Sequence, residues 1–232
     1  MKSQVESPES FPAAWIGAIA LSAIAAIAGA YFSPPLHYLF KPLTTLLIAA
    51  MVWRHGRDAE PAYRRTILAG LLLSTCGDAF LMLPGDWFVF GLGSFLCAHI
   101  AYLLGLCGRA RLAALKLPFL GYAALATAVL CVLWPHLPGE LRIPVIVYVV
   151  VLAAMAAQAA VVWRRWPVRA TALAALGGGF FVASDATLAI DRFAAPFGAA
   201  SLVVLATYWV AQTLIGLSVR PLGAAATARE RT

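Results

Sequence analysis

The chain has 232 residues, is 62% apolar and 12% charged, and carries a net charge of +7. A soluble domain of this size carries about a quarter charged residues, so the composition excludes an ordinary soluble globular protein. The basic residues sit in short stretches between apolar runs, a pattern that sets membrane orientation and argues against a nucleic-acid surface.

Residues 1–10 form a polar segment holding a single Lys. The apolar run that follows is long and ends without an A-x-A-type cleavage site, so it reads as a retained helix rather than a signal peptide. Apolar runs long enough to span a bilayer as helix then recur at 11–31, 36–53, 66–83, 87–107, 117–134, 143–163, 170–190 and 199–219. Proline and glycine punctuate the joins: Pro34-Pro35, Pro61, Pro84-Gly85, Pro135, Pro138-Gly139, Pro167, Pro196 and Pro221. No alternating barrel segments occur, and lipid tolerates only helices or closed barrels. The expectation is an all-α, multi-pass membrane protein of about eight transmembrane helices in one domain spanning 11–219, with a tail at 220–232.

Fourteen of the Lys and Arg residues fall on one side of this arrangement: Lys2, the arginines between 54 and 65, Arg109, Arg111, Lys116, Arg164, Arg165, Arg169 and the C-terminal arginines. The other side receives only Arg142 and Arg192, and Lys41 lies inside the second span. The bias predicts a plasma or inner membrane protein with both termini cytoplasmic. Cys76, Cys97, Cys107 and Cys131 show no CxxC pair and no zinc spacing, so they read as packing residues.

An internal echo links the halves. Gly77-Asp78-Ala79 with Leu81 matches Ser184-Asp185-Ala186 with Leu188, and Phe90-Gly91 with Ser94 matches Phe197-Gly198 with Ser201 at the same offset. The stretches are four spans apart and run in the same direction, which predicts a 4+4 parallel repeat about an axis along the membrane normal.

Ionisable residues inside a bilayer are costly and mark function. Here they are Lys41, Asp78, His99 and Asp185, with Asp191 at a helix end; Tyr102, Tyr148, Gln158, Tyr208 and Gln212 are the neutral polar company. At 1.5 Å per residue, Lys41, Asp78, Tyr148 and Asp185 all fall roughly 7–8 Å below the outer boundary. His99 and Tyr208 sit deeper, as if flooring a cavity that opens outward. Gly177-Gly178-Gly179 lies mid-helix with no strand before it, so it reads as a close helix contact rather than a phosphate loop.

Two aspartates in a low-dielectric pocket do not easily both ionise, and a lysine keeps one of them charged. That leaves a general acid beside a carboxylate, the division of labour used for oxocarbenium-like transition states. Hydrolysis of a vinyl ether has this form.

At these residues the chain resembles the YhhN-like lysoplasmalogenases. The resemblance runs from about residue 15 to 219 and rests on Lys41-Pro42, Gly77-Asp78-Ala79-Phe80-Leu81, His99-Ile100-Ala101-Tyr102, Pro144 to Tyr148, Ser184-Asp185 and Tyr208 to Gln212. It implies cleavage of the vinyl ether of a lysoplasmalogen to a fatty aldehyde and glycerophosphocholine or glycerophosphoethanolamine. Asp78 and Asp185 would be the catalytic pair. Lys41, His99, Tyr148, Tyr208 and Gln212 would line the pocket, and Tyr102 and Asp191 join them as substrate-binding candidates. The expected partners are a lysophospholipid and the bilayer, with no nucleic acid and no cofactor. Two rivals stand beside this reading: a metal-dependent lipid hydrolase using Asp78, Asp185 and His99 as ligands, and a proton-coupled small-molecule transporter.

Overall fold

The computed structural model describes residues 13–222. The polar segment 1–10, most of the tail at 220–232, and the basic residues Lys2, Arg229 and Arg231 lie outside the described residues. Eight α-helices follow in order: α1 (Ala13–Phe32), α2 (Pro34–His55), α3 (Pro61–Phe80), α4 (Phe88–Arg109), α5 (Lys116–Leu133), α6 (Gly139–Arg165), α7 (Arg169–Ala189) and α8 (Ala200–Leu217). A 3₁₀ turn (Trp134–His136) follows α5, and a π-helical turn (Ile190–Ala194) continues α7. No strand occurs among the described residues.

Seven of the helices have the length and apolar character to cross a membrane. The exception is α3, whose 20 residues include Arg64, Arg65 and Asp78. It begins five residues before the expected span and ends three before its close. Pro61 stands at its start, where a missing N–H is harmless, and Tyr63 is buried in the first turn. Arg64 leans back to donate to the Trp53 carbonyl and stacks over its ring. The helix is covered by α2 on one side and α4 on the other.

Close packing of α3 on α4 depends on glycine. A Cβ added at Gly70 would lie 2.1 Å from the Tyr102 ring, and one at Gly77 would lie 2.6 Å from Phe95. These are the small-residue contacts that let membrane helices approach. In α7, a Cβ at Gly177 would meet Ile215 of α8 at 2.8 Å, and one at Gly178 would meet the Ala156 backbone of α6 at 3.0 Å.

The outside of the bundle is apolar and the inside holds the polar groups. Large hydrophobics such as Leu21, Phe32, Trp53, Leu104, Leu120 and Ile143 are exposed, whereas Lys41, Asp78, His99, Arg109, Gln158 and Gln212 are buried. In water that arrangement would be a liability; in lipid it is what the solvent requires. The least embedded helix is α5, whose one buried residue is Leu133. It packs on α6 and touches the π-helical turn.

At the arginine-rich end, a polar clamp ties the helix ends together. Arg109 pairs with Glu60, lies 3.4 Å from the Tyr63 ring centroid, and donates to the Arg220 carbonyl at 2.9 Å. Gln158 donates to the Ala110 carbonyl at 2.7 Å and accepts from the Ala113 N–H at 3.2 Å. It supports the α4–α5 loop at the point where Ala113 takes a φ of 53°.

Candidate active site

The site begins on α2. Lys41 and Thr45 are one turn apart and so share a face, and both are buried. The Thr45 hydroxyl donates to Asp78 Oδ2 on α3 at 2.7 Å. The same oxygen accepts from the Tyr208 hydroxyl of α8 at 2.8 Å, and Trp209 Nε1 donates to Thr45 Oγ1 at 3.4 Å. Three helices thus converge on one carboxylate oxygen. Lys41 is within electrostatic reach of Asp78, although no ion pair forms between them among the described residues.

Depth arithmetic from the chain alone puts Tyr208 lower than Asp78. Its side chain removes the difference, because a helical Cα–Cβ bond tilts toward the N-terminus. In α8 that tilt carries the phenol toward the end where Asp78 sits.

The second carboxylate is arranged differently. Asp185 on α7 accepts a hydrogen bond at Oδ2 from the hydroxyl of Tyr148 on α6. It has no second hydrogen-bond donor and no cation paired with it among the described residues. The neighbouring Ser184 hydroxyl turns away to the Val204 carbonyl at 3.0 Å. Asp78 is 1% exposed, whereas Asp185 is only half-buried.

Both aspartates line a single cavity of about 1120 Å³, measured with its open mouth, together with Lys41, Tyr148 and Tyr208. Apart from Tyr122 and Ser184, the rest of the wall is apolar. Leu125, Ala126 and Val129 of α5 face Leu152 and Val149 of α6 and Val182 and Ala186 of α7. Toward the end bearing the α3–α4 and α7–α8 loops it is lined by Leu81, Phe88, Leu188 and Phe193. Polar groups are gathered at one place in an otherwise greasy slot.

The remaining sequence candidates are placed elsewhere. His99 is fully buried but absent from the cavity lining. Its ring packs edge-on against Phe181 at 4.5 Å and Tyr148 at 5.3 Å, and neither ring nitrogen has a hydrogen-bond partner among the described residues. Tyr102 donates to Gln212 Oε1 at 2.7 Å, forming a second polar tie behind the cavity. Asp191 lies in the π-helical turn and accepts from the Phe197 N–H at 3.0 Å, which shapes the α7–α8 loop. Among the described residues, no group of three or more His, Cys, Asp or Glu side chains is placed to hold a metal ion.

Thr45 was missed from the sequence. Its signal was its position one turn after Lys41, hidden because a threonine in a membrane helix commonly bonds its own backbone. The α5 wall was also missed, since nothing in its evenly apolar sequence marks an inner face.

The YhhN family model matches residues 36–219. Among curated proteins, the chain is 38% identical over 187 residues to a protein named lysoplasmalogenase from Mycobacterium bovis, covering 76% of this chain and 67% of that one. It is 34% identical over 193 residues to the lysoplasmalogenase TMEM86A of Homo sapiens, covering 78% and 76%. It is 26% identical over 199 residues to an uncharacterized membrane protein YhhN of Escherichia coli, covering 85% and 94%. No solved structure matches the chain.

Proposed function

The chain belongs to the YhhN family, and from that premise we propose that it hydrolyses the vinyl ether of lysoplasmalogens, releasing a fatty aldehyde and glycerophosphocholine or glycerophosphoethanolamine. One observation carries the reading: two carboxyl groups and one ammonium line a single cavity whose remaining lining, apart from three phenols and Ser184, is apolar. A single-chain lipid fits that division, its tail along α5, α6 and α7 and its polar end near the α3–α4 and α7–α8 loops. The curated relatives named lysoplasmalogenase support the same substrate class.

The environments divide the labour. Asp78 has two hydroxyl donors on one oxygen and Lys41 nearby, surroundings that favour a carboxylate. Asp185 has one phenol and no paired cation, so it holds the proton. In the first step Asp185 gives that proton to the outer vinyl carbon, and the C=C pair forms the new C–H bond. The inner carbon and ether oxygen then share the positive charge of an oxocarbenium ion, which the Asp78 carboxylate stabilises. Asp78 next takes a proton from water as that water adds to the cationic carbon. As the hemiacetal collapses, Asp78 gives its proton to the departing alcohol oxygen and Asp185 takes the hydroxyl proton, so aldehyde and alcohol leave and both aspartates return to their starting states. No net charge is created in the pocket, which suits a low-dielectric site.

The two aspartates would descend from duplicated halves. Packing supports this: α3 on α4 corresponds to α7 on α8, α2 on α3 to α6 on α7, and the cross-pair α2 with α8 to α6 with α4. The first helices differ, since α1 packs on α2 and α8 while α5 packs on α6 and the π-helical turn. That difference leaves room for the cavity beside α5.

The test is aldehyde release from lysoplasmenylcholine by purified protein in lipid nanodiscs. Asp78→Asn and Asp185→Asn are each expected to lower turnover by at least about a hundredfold while keeping the wild-type elution profile. Turnover near the wild-type rate in either variant removes the assignment. Solute flux in proteoliposomes without aldehyde production would replace it with the transporter reading.

A further inference from the structure

The end of the cavity nearest the α3–α4 and α7–α8 loops carries a cation that the proposed chemistry does not use. Arg192 lies in the π-helical turn that continues α7 beyond Asp185. Its guanidinium is 4.1 Å from the centroid of Phe88 and 5.6 Å from that of Phe193. These two rings meet edge-to-face at 5.5 Å and both line the cavity. Arg192 is therefore seated on the aromatic rim of the slot, not on an unrelated surface. Among the described residues its one anionic partner is Asp86 of the α3–α4 loop, 3.0 Å from Nη2. The Asp86 side chain is 78% exposed and that of Arg192 38%, so the pair is a solvated surface bridge, weakened by water and by side-chain entropy. A bridge that weak is readily exchanged for a better anion.

Geometry says which anion. Arg192 is seven residues past Asp185, roughly 10 Å along the helix axis at 1.5 Å per residue. A helical Cα–Cβ bond tilts toward the helix N-terminus, the direction in which Asp185 lies. In a glycerophospholipid only the glycerol carbons separate the sn-1 ether oxygen from the phosphate oxygen. With the ether against Asp185, the phosphate arrives at the rim where Arg192 sits. A planar guanidinium pairs with phosphate through two parallel N–H···O bonds, and stacking on Phe88 and Phe193 fixes the plane of that fork. Arg142, at the start of α6, is stacked on Trp134.

We infer that Arg192 recognises the phosphodiester of a single-chain lipid at the cavity mouth, and that Asp86 occupies the guanidinium until the lipid displaces it. The inference rests on the proposed hydrolase reading for its substrate pose, and it adds a specificity determinant: a phosphate-bearing lysolipid is preferred over a neutral alkenylglycerol of the same chain length.

The experiment compares lysoplasmenylethanolamine with 1-alkenylglycerol in wild type, Arg192→Gln, Arg192→Lys and Asp86→Asn, each checked for thermal unfolding midpoint and elution profile. The ratio of kcat/KM for the phosphate substrate over the neutral one is expected to fall about tenfold in Arg192→Gln, mostly through KM. Arg192→Lys should recover part of that ratio, and Asp86→Asn should raise it. An unchanged ratio in Arg192→Gln, or equal losses on both substrates, overturns the inference. Inorganic phosphate and glycerophosphoethanolamine are added as competitors. Inhibition by the lipid-free anions at micromolar levels would assign the site to free phosphate instead and likewise overturn it. If wild type cleaves neither substrate, the hydrolase reading fails by itself. Tryptophan fluorescence titration with a saturated alkyl lysophospholipid and the matching alkylglycerol then decides the phosphate preference, which Arg192→Gln must abolish.

Discussion

Asp78 and Asp185 sit at matching positions in two helices that run the same way, yet they inhabit different surroundings. Asp78 is enclosed by α2, α3 and α8, with Thr45 and Tyr208 donating to one oxygen and Lys41 close by. Asp185 has the single phenol of Tyr148, is half-buried, and faces the apolar slot beneath α5. The difference traces to the neighbouring helices. At the offset of the internal echo, Lys41 of α2 stands where α6 has Tyr148, so one half carries a cation where the other carries a neutral donor. In the proposed chemistry, this change of partner is what gives the two acids different roles.

The sharpest way to break this comparison is to remove each carboxylate in turn. Asp185→Asn should lower kcat by about 10³- to 10⁴-fold, the loss of the proposed general acid. Asp78→Asn should lower it by roughly 10²- to 10³-fold, the scale of losing one electrostatic stabiliser. The reverse order, in single-turnover aldehyde release, would exchange the two roles. Next in size is Lys41→Met, expected to reduce kcat about a hundredfold by removing the cation that keeps Asp78 charged. An effect confined to KM would mean that Lys41 meets only the lipid.

Smaller effects test the slot. Ala126→Trp on α5 fills the wall between Leu125 and Val129, and should raise KM roughly tenfold for a long alkenyl chain. A short-chain substrate should be affected less; equal effects on both would move the tail elsewhere. Gln158→Ala leaves the Ala113 N–H without its acceptor, and should destabilise the protein by about 1–3 kcal/mol. Aldehyde release well below the unfolding midpoint should stay at the wild-type rate, because Gln158 is at the opposite end of α6 from Tyr148. A loss of turnover without a loss of stability would contradict that separation.

The all-α membrane architecture was legible because lipid demands it: apolar runs of span length leave no other solution for the backbone. The acidic pair was legible for the converse reason, that a charge within such a run needs an explanation. The bounds of α3 were less so. Its start is set by Pro61 and the buried Tyr63, while the apolar pattern only becomes evident near residue 66. His99, Tyr102 and Gln212 were drawn to the site by their polarity. The bundle instead turns His99 onto Phe181 and ties Tyr102 to Gln212, because polarity marks a residue as inward-facing without saying which interior feature it meets. Asp191 belongs to a loop for a local reason, its bond to the Phe197 N–H.

By itself, then, the order of amino acids determined the number of helices, their approximate ends, and which ionisable groups are kept from lipid. These are one-dimensional consequences of burying backbone and charge in a medium without water. Only the tertiary structure decided that Thr45 and Tyr208 share an oxygen of Asp78, that α5 stands back to form a slot, and that Arg192 rests on the aromatic rings at its mouth. Such pairings depend on how helices rotate and lean against one another, which small residues such as Gly70 and Gly77 permit but do not announce.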